Sequence, residues 1–298
     1  MKEHTKILLG YDGSDCSERM LWDLQRAGLP QQAEAFVLTV AEHWFAAPTS
    51  IGGVDVHFTE APEEGAATRA LTEQAQTRIQ SYFPHWDVKA EAMWGTPATK
   101  LVEKADDWQP DLLIVGSHGR GVIGRFFLGS VSQKVLHEAH CSVRIARGTA
   151  LEANTPVRLV IAMDGSKGSM AAVDAVVARE WPAESQVRLV NATWTVPPVT
   201  AGRMVAPITD WIAEENARIK TALEVATAKL QGVGLITTTV VEEDEPKDLI
   251  CEEAERWGAD CIFLGARGMG AVERMLIGSI SSGVAARAHC SVEVVRST

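Results

Sequence analysis

A glycine pattern occurs twice, at equivalent places in the two halves of a 298-residue chain. The first copy reads GSHGRGVIGRFFLGS, from Gly116 to Ser130, and the second reads GARGMGAVERMLIGS, from Gly265 to Ser279. Both fit Gly-x2-Gly-x9-Gly-Ser and lie 149 residues apart. Each follows a short apolar run (DLLIVG, DCIFLG) and precedes a helix-like stretch. Strand, glycine loop and helix start form a place where backbone N–H groups hold phosphate oxygens. The pattern predicts a duplicated nucleotide-binding domain.

The correspondence extends beyond the loops. ILLGYDGS (Ile7–Ser14) matches LVIAMDGS (Leu159–Ser166), WQPDLLIVG matches WGADCIFLG, and HCSVRIAR (His140–Arg147) matches HCSVEVVR (His289–Arg296). A repeat this long means tandem domains and not a solenoid. We place them at residues 1–148 and 155–298, with the short polar seam Gly148–Pro156 between. Periodicity predicts strands at Lys6–Tyr11, Ala35–Glu42, Asp87–Met93, Asp111–Gly116 and Ser142–Arg147. Helices are predicted at Asp15–Ala27, Gly65–Phe83, Pro97–Trp108 and Ser130–His140, and a variable segment runs from His43 to about Glu64. The second half repeats this, with strands near Val157–Met163, Gln186–Thr193, Leu235–Glu242, Asp260–Gly265 and Ser291–Arg296. Its helices fall near Lys167–Glu180, Ile208–Gln231, Pro246–Trp257 and Ser279–Ala288. Strands joined by such helices imply an α/β fold of two tandem doubly wound domains with parallel sheets. Ligands then bind beyond the carboxyl ends of the strands, where strand order reverses.

The bulk numbers exclude some classes. A net charge of −11 without a basic block argues against a nucleic-acid surface. No apolar run approaches the ~18 residues of a membrane span. The amino terminus enters a strand pattern with no leader, so a cytoplasmic protein is expected. The five cysteines are scattered and form no C-x-x-C pair, which suggests neither a disulfide framework nor a zinc site. His137, His140 and Cys141 read as a helix end meeting a buried strand, since only the His-Cys pair repeats.

Within the loops, Gly116 ends a strand and Gly119 follows. Lacking a Cβ, each can take positive φ and let a ligand approach the backbone. Gly129 and Ser130 open the next helix, with Ser130 as an N-cap whose hydroxyl is alternatively a phosphate donor. The free N–H groups and the helix dipole favour an anion there. Gly119, Gly121 and Gly124 also match GxGxxG, but the next strand ends in Arg147 where a dinucleotide fold wants an acid, and the second copy has Glu273 for the third glycine. A GK[ST] P-loop is absent. Asp12 and Asp164, within DGS, end the first strand of each half. Their carboxylates either accept from an adenine amine or a ribose hydroxyl, or make the turn and cap the first helix.

These motifs resemble the universal stress proteins across nearly the whole chain. The resemblance rests on the first-strand DGS, the G-xx-G-x9-G-S loops, the helix starts GSVSQKV and GSISSGV, and the HCSV strand entry. It implies a five-stranded parallel sheet in each half, with helices on both faces. It also implies that members keeping the full glycine pattern bind ATP. Carried over, Gly10, Tyr11, Asp12 and Val40 would meet the adenine, and Val115 and Gly116 the base and ribose. Gly119, Gly129, Ser130, Val131 and Ser132 would hold the phosphates, beside His118 and Arg120. In the second half the matching set is Met163, Asp164, Ala192, Leu264, Gly265, Arg267, Gly268, Gly278, Ser279, Ile280 and Ser281. His118 and Arg120 become Arg267 and Met269, so the two sites are expected to differ. Trp44, Trp194 and Trp211 flank the variable segments and suggest a partner surface.

The expectation is an ATP (or AMP/ADP) binding stress protein, with or without Mg2+, acting as a sensor or regulator. Its halves would pair with pseudo-two-fold symmetry through their last strands, mimicking a dimer of single-domain members, with a homodimer of the whole chain as a further expectation. Hydrolysis would want a phosphate-bound Lys or metal carboxylates and a base, and these cannot be assembled, so no catalytic residue or metal ligand is assigned. The alternatives are a slow ATPase or autokinase with Ser130 or Ser279 as acceptor, and a nucleotide-free interaction module.

Overall fold

A computed structural model describes residues 5–42, 62–119, 128–148, 152, 154–193, 205–268 and 277–296. Arg120, Met269, Trp44, Trp194 and most of the variable segment lie outside these residues.

The first half runs β1 (Thr5–Gly10), α1 (Asp15–Leu24), β2 (Ala33–Ala41), α2 (Pro62–Tyr82), β3 (Asp87–Trp94), α3 (Pro97–Trp108), β4 (Leu112–Gly116), α4 (Ser130–Glu138) and β5 (Ser142–Ala146). The second repeats it: β6 (Arg158–Ala162), α5 (Lys167–Val177), β7 (Gln186–Thr193), α6 (Val205–Gly232), β8 (Ile236–Glu243), α7 (Pro246–Trp257), β9 (Cys261–Gly265), α8 (Ser279–Arg287) and β10 (Ser291–Val295). The strands form one ten-stranded sheet in the order β3-β2-β1-β4-β5-β10-β9-β6-β7-β8. Neighbours within each half are parallel, and β5 meets β10 antiparallel. The doubly wound fold, with five parallel strands per half, is as the sequence implied.

Helices cover both faces, so the central strands are apolar throughout and read as continuous runs. Ile7, Leu8 and Leu9 of β1 are fully buried, whereas edge strand β8 is largely exposed. One core cluster runs through both halves, joining Leu101 of α3, Leu136 of α4, Ile250 of α7 and Ala285 of α8. The opposite face holds two separate clusters, one under α1 and α2 and one under α5 and α6. No described helix is long and apolar enough to cross a membrane.

Helix ends account for most boundary differences. The expected Asp15–Ala27 helix stops at Leu24 because Gln25, Arg26 and Ala27 donate to carbonyls three residues back, tightening the chain into a turn. Pro97 and Pro246 sit in the first turns of α3 and α7, where a missing N–H costs nothing. The two helices end alike in a left-handed residue, Gln109 at φ 52° and Gly258 at φ 68°.

That pair gives a direct comparison. Gly258→Gln should lower stability by about 1 kcal/mol, the cost of a side chain in the left-handed region. A Cβ there meets nothing closer than 3.5 Å, so sterics add little. Urea unfolding measures it, and an unchanged midpoint would refute the backbone account.

Candidate functional site

In each half the first strand is the switch point. β1 pairs with β2 on one side and β4 on the other, and β6 pairs likewise with β7 and β9. The crossovers leave a crevice at the carboxyl edge. There β1 runs into Tyr11-Asp12-Gly13-Ser14. Gly13 takes φ 72°, and Ser14 caps α1 by accepting from the Ser17 N–H. Asp12 Oδ1 accepts from the Ser14 N–H at 3.0 Å and from its hydroxyl at 2.6 Å. The second half matches, with Gly165 at φ 71° and Asp164 Oδ1 accepting from the Ser166 N–H at 2.9 Å. The turn-making role of both aspartates is therefore real. Their other oxygens abut the glycine loops: a Cβ on Gly119 would lie 3.1 Å from Asp12 Oδ2, and one on Gly268 2.5 Å from Asp164 Oδ2.

Close approach, not positive φ, is what Gly116, Gly119, Gly265 and Gly268 provide. None of the six pattern glycines has positive φ, which corrects that part of the sequence reading. Gly116 lies against the start of α1, where a Cβ would be 3.0 Å from the carbonyl carbon of Cys16. Gly265 lies against α5, where a Cβ would be 2.6 Å from the Gly168 oxygen. Gly129 and Gly278 are the N-caps of α4 and α8, with φ −63° and −80°. Ser130 and Ser279 are thus first helical residues and not caps, a second correction. The glycine N–H groups reach back to Ser117 O at 2.9 Å and Ala266 O at 2.7 Å, which fixes where each helix begins. Ser132 and Ser281 donate their hydroxyls to the Gly116 and Gly265 carbonyls at 2.6 and 2.7 Å, tying helix to strand end.

Neither α4 nor α8 has a side-chain cap or an acidic residue in its first turn, whereas α1 has Asp15 and Glu18. Their leading N–H groups have no intrahelical partners and carry the positive end of the helix dipole. Both helices open into cavities. The first, about 850 Å³, is lined by Gly10, Tyr11, Asp12, Val40, Val115, Gly116, His118, Gly119, Gly129, Ser130, Val131 and Ser132. The second, about 450 Å³, is lined by Met163, Asp164, Ala192, Leu264, Gly265, Arg267, Gly268, Gly278, Ser279, Ile280 and Ser281. Both volumes suit a small-molecule ligand. The nucleotide-site residues named from the sequence, Arg120 apart, are brought together in these two places.

Other lining residues were not assigned to the sites from the sequence. Thr68 and Leu71 of α2, with Trp94, wall the first cavity, and Trp211, Glu215 and Ile219 of α6 wall the second. Trp211, assigned above to a partner surface, is 62% exposed but stands at this mouth. Arg218 donates to the Gly165 and Asp164 carbonyls at 2.5 and 3.1 Å, bracing the second DGS turn. Three polar atoms in the linings are buried without a partner: Thr39 Oγ1, His118 Nε2 and Asn191 Oδ1. Such atoms are destabilising unless something fills the site. Burial, and then the nearby Arg147 charge, lowers the His118 pKa below its ordinary value.

His140 and Cys141 do not meet His137 in a ligand set. His140 pairs with Asp106 at 3.1 Å, and His289 pairs with Glu255 at 3.2 Å. Burial pushes the Cys141 thiol up to about 11 and the Cys290 thiol to about 12, so both stay protonated at neutral pH. Among the described residues no cluster of His, Cys, Asp and Glu could hold a metal ion.

The universal stress protein family matches the chain twice, over residues 3–147 and 157–296. The chain belongs to that family. It is 28% identical over 312 residues to a universal stress protein of Mycolicibacterium smegmatis, covering 97% of this chain and 96% of that one. A universal stress protein of Methanocaldococcus jannaschii is 29% identical over 153 residues, covering 48% of this chain and 82% of its own. The crystal structure of a universal stress protein from Archaeoglobus fulgidus superposes with a TM-score of 0.65 at 20% identity, covering 98% and 96% of the two chains.

Two measurements test this geometry. Gly265→Ala drives a methyl into the Gly168 backbone and should cost roughly 1–3 kcal/mol. Gly278→Ala meets nothing nearer than 3.5 Å and should cost less. Equal losses in urea unfolding would contradict the close-approach assignment. For His118, an NMR titration should place the midpoint below the ordinary ~6.5. The ring is then neutral at pH 7 and gains its charge only on acidification; a midpoint above 6.5 would place it outside the buried pocket.

Proposed function

We propose that each half binds an adenine nucleotide, ATP with AMP or ADP as alternatives, and that occupancy of the two sites, not turnover, is the output of a stress-linked sensor or regulator. One observation carries the reading. In each half a helix N-terminus without side-chain cap or acid opens into a cavity that also holds an aspartate and an unpartnered buried polar atom. That is the chemistry of a ligand with an anionic end and a hydrogen-bonding end. Family membership supports the stress role.

In this reading the phosphates lie on the first turns of α4 and α8, beside Gly119 and His118 in one half and Gly268 and Arg267 in the other. ATP brings Mg2+ with it. The base and ribose lie against Val40 and Val115, or Ala192 and Leu264, with Asp12 or Asp164 accepting from the amine or a hydroxyl. Thr39 and Asn191 add one polar partner each. Binding favours one conformation of the protein over another. The two nucleotide-binding units are residues 1–148 and 155–298, paired within one cytoplasmic chain.

The first test is to purify the protein without added nucleotide, denature it, and identify what is released by chromatography and mass spectrometry. Adenine nucleotide at about two per chain supports two working sites. No release, followed by no binding of added ATP with magnesium, would overturn the reading. Site assignment is tested by calorimetry. Gly129→Val and Gly278→Val should each remove one equivalent of nucleotide and leave the other, because the new side chain fills the phosphate position. Two equivalents retained by either variant would show that the phosphates lie elsewhere.

A further inference from the structure

The antiparallel contact between β5 and β10 is built on repeated residues, and the arginine and serine bonds at its two ends are symmetric. Arg147 donates to the Cys290 and Ala285 carbonyls at 3.3 and 2.6 Å. Arg296, its counterpart 149 residues on, donates to the Cys141 and Leu136 carbonyls at 2.8 and 2.7 Å. The Arg147 N–H bonds Ser291 Oγ at 2.9 Å, and the Arg296 N–H bonds Ser142 Oγ at 3.1 Å. Each half carries both donors and acceptors, so these bonds would form equally well between two first halves or two second halves. They do not choose a partner.

The middle of the ladder does. Arg144 stands opposite Glu293, flanked by Ile145↔Val292 and Val143↔Val294, so the local pseudo-two-fold axis passes between them. They occupy the same repeat position, in HCSVRIAR and HCSVEVVR. Each is 1% exposed. Arg144 Nη1 donates to Glu293 Oε2 at 3.1 Å. Its Nε and Nη2 fork onto Asp23 at 2.6 and 3.0 Å, and Arg179 bonds the other Glu293 oxygen. Asp23, Arg144, Glu293 and Arg179 thus alternate in sign across the seam. Asp23 also accepts from Ser291 Oγ at 2.7 Å.

We propose that Arg144 and Glu293 are a pairing code: the seam accepts one first half and one second half, and rejects two copies of either. On the axis, two first halves would set Arg144 against Arg144, and two second halves Glu293 against Glu293. Each would keep the countercharge of its own half, Asp23 for Arg144 and Arg179 for Glu293, but would lose the Arg144–Glu293 bond and set two like charges in contact at a buried position, and rejection of this kind is how interfaces exclude wrong partners. Every assembled unit therefore contains one cavity of each kind, the His118 type and the Arg267 type, and self-association through this strand edge is closed off. This inference stands independently of what the cavities bind.

The test begins with the full chain carrying a protease sequence inserted in the seam at 149–153. The folded protein is cleaved, unfolded in urea and refolded as an equimolar mixture, and the pairs are weighed by native mass spectrometry. First-with-second pairs should exceed the two like pairs by at least roughly tenfold. Proportions near the statistical one-to-two-to-one would overturn the code. Should the halves not refold, the intact chain gives a second reading. Glu293→Arg should lower Tm by roughly 10 °C, and Glu293→Gln, which removes a charge without adding a like one, by clearly less. Equal losses would mean that the position needs only a hydrogen bond, and the proposal fails.

Discussion

The close approach of the first helix to the end of the fourth strand, made at the switch point of each half, governs the geometry of both cavities. Gly116 and Gly265 have no side chain because the backbones of Cys16 and Gly168 occupy that space. With the helix held there, Asp12 and Asp164 face the glycine loops, and Ser132 and Ser281 reach back to the strand-end carbonyls. One steric constraint therefore aligns the turn, the loop and the next helix N-terminus. A larger residue at either glycine would move all three together.

Duplication supplies an internal control. Where the halves keep the same residue, the same bond forms, as with Arg147 and Arg296 on opposite carbonyls. Where they differ, the difference has a local consequence. Gln109 endures the left-handed geometry that Gly258 accepts freely. Thr39 and Asn191 offer their cavities different groups, a hydroxyl and an amide. Arg144 and Glu293 turn a symmetric seam into a directional one.

The elements were legible because each carries a local signal. Apolar runs bounded by turns marked the strands, and Pro97 and Pro246 marked helix starts. Every site residue singled out, Arg120 apart, lines one of the two cavities. The linings from α2 and α6 were not legible, since which face of a crossover helix meets the cavity depends on packing against β2, β3, β7 and β8. The role of the HCSV-to-Arg repeat was equally hidden: its motif is local, but its hydrogen-bond partners are about half a chain away.

By itself the sequence determined the duplication, the parallel doubly wound halves and the identity of the loop residues, because periodicity and glycine spacing depend on neighbours along the chain. Tertiary structure alone decided why Gly116 and Gly265 are glycines, which residues cap α4 and α8, and the register in which the last strands β5 and β10 close one continuous sheet. Those outcomes rest on distances between segments separated by tens to hundreds of residues. No local pattern encodes such distances, since they follow from how crossovers, helices and strand edges share space.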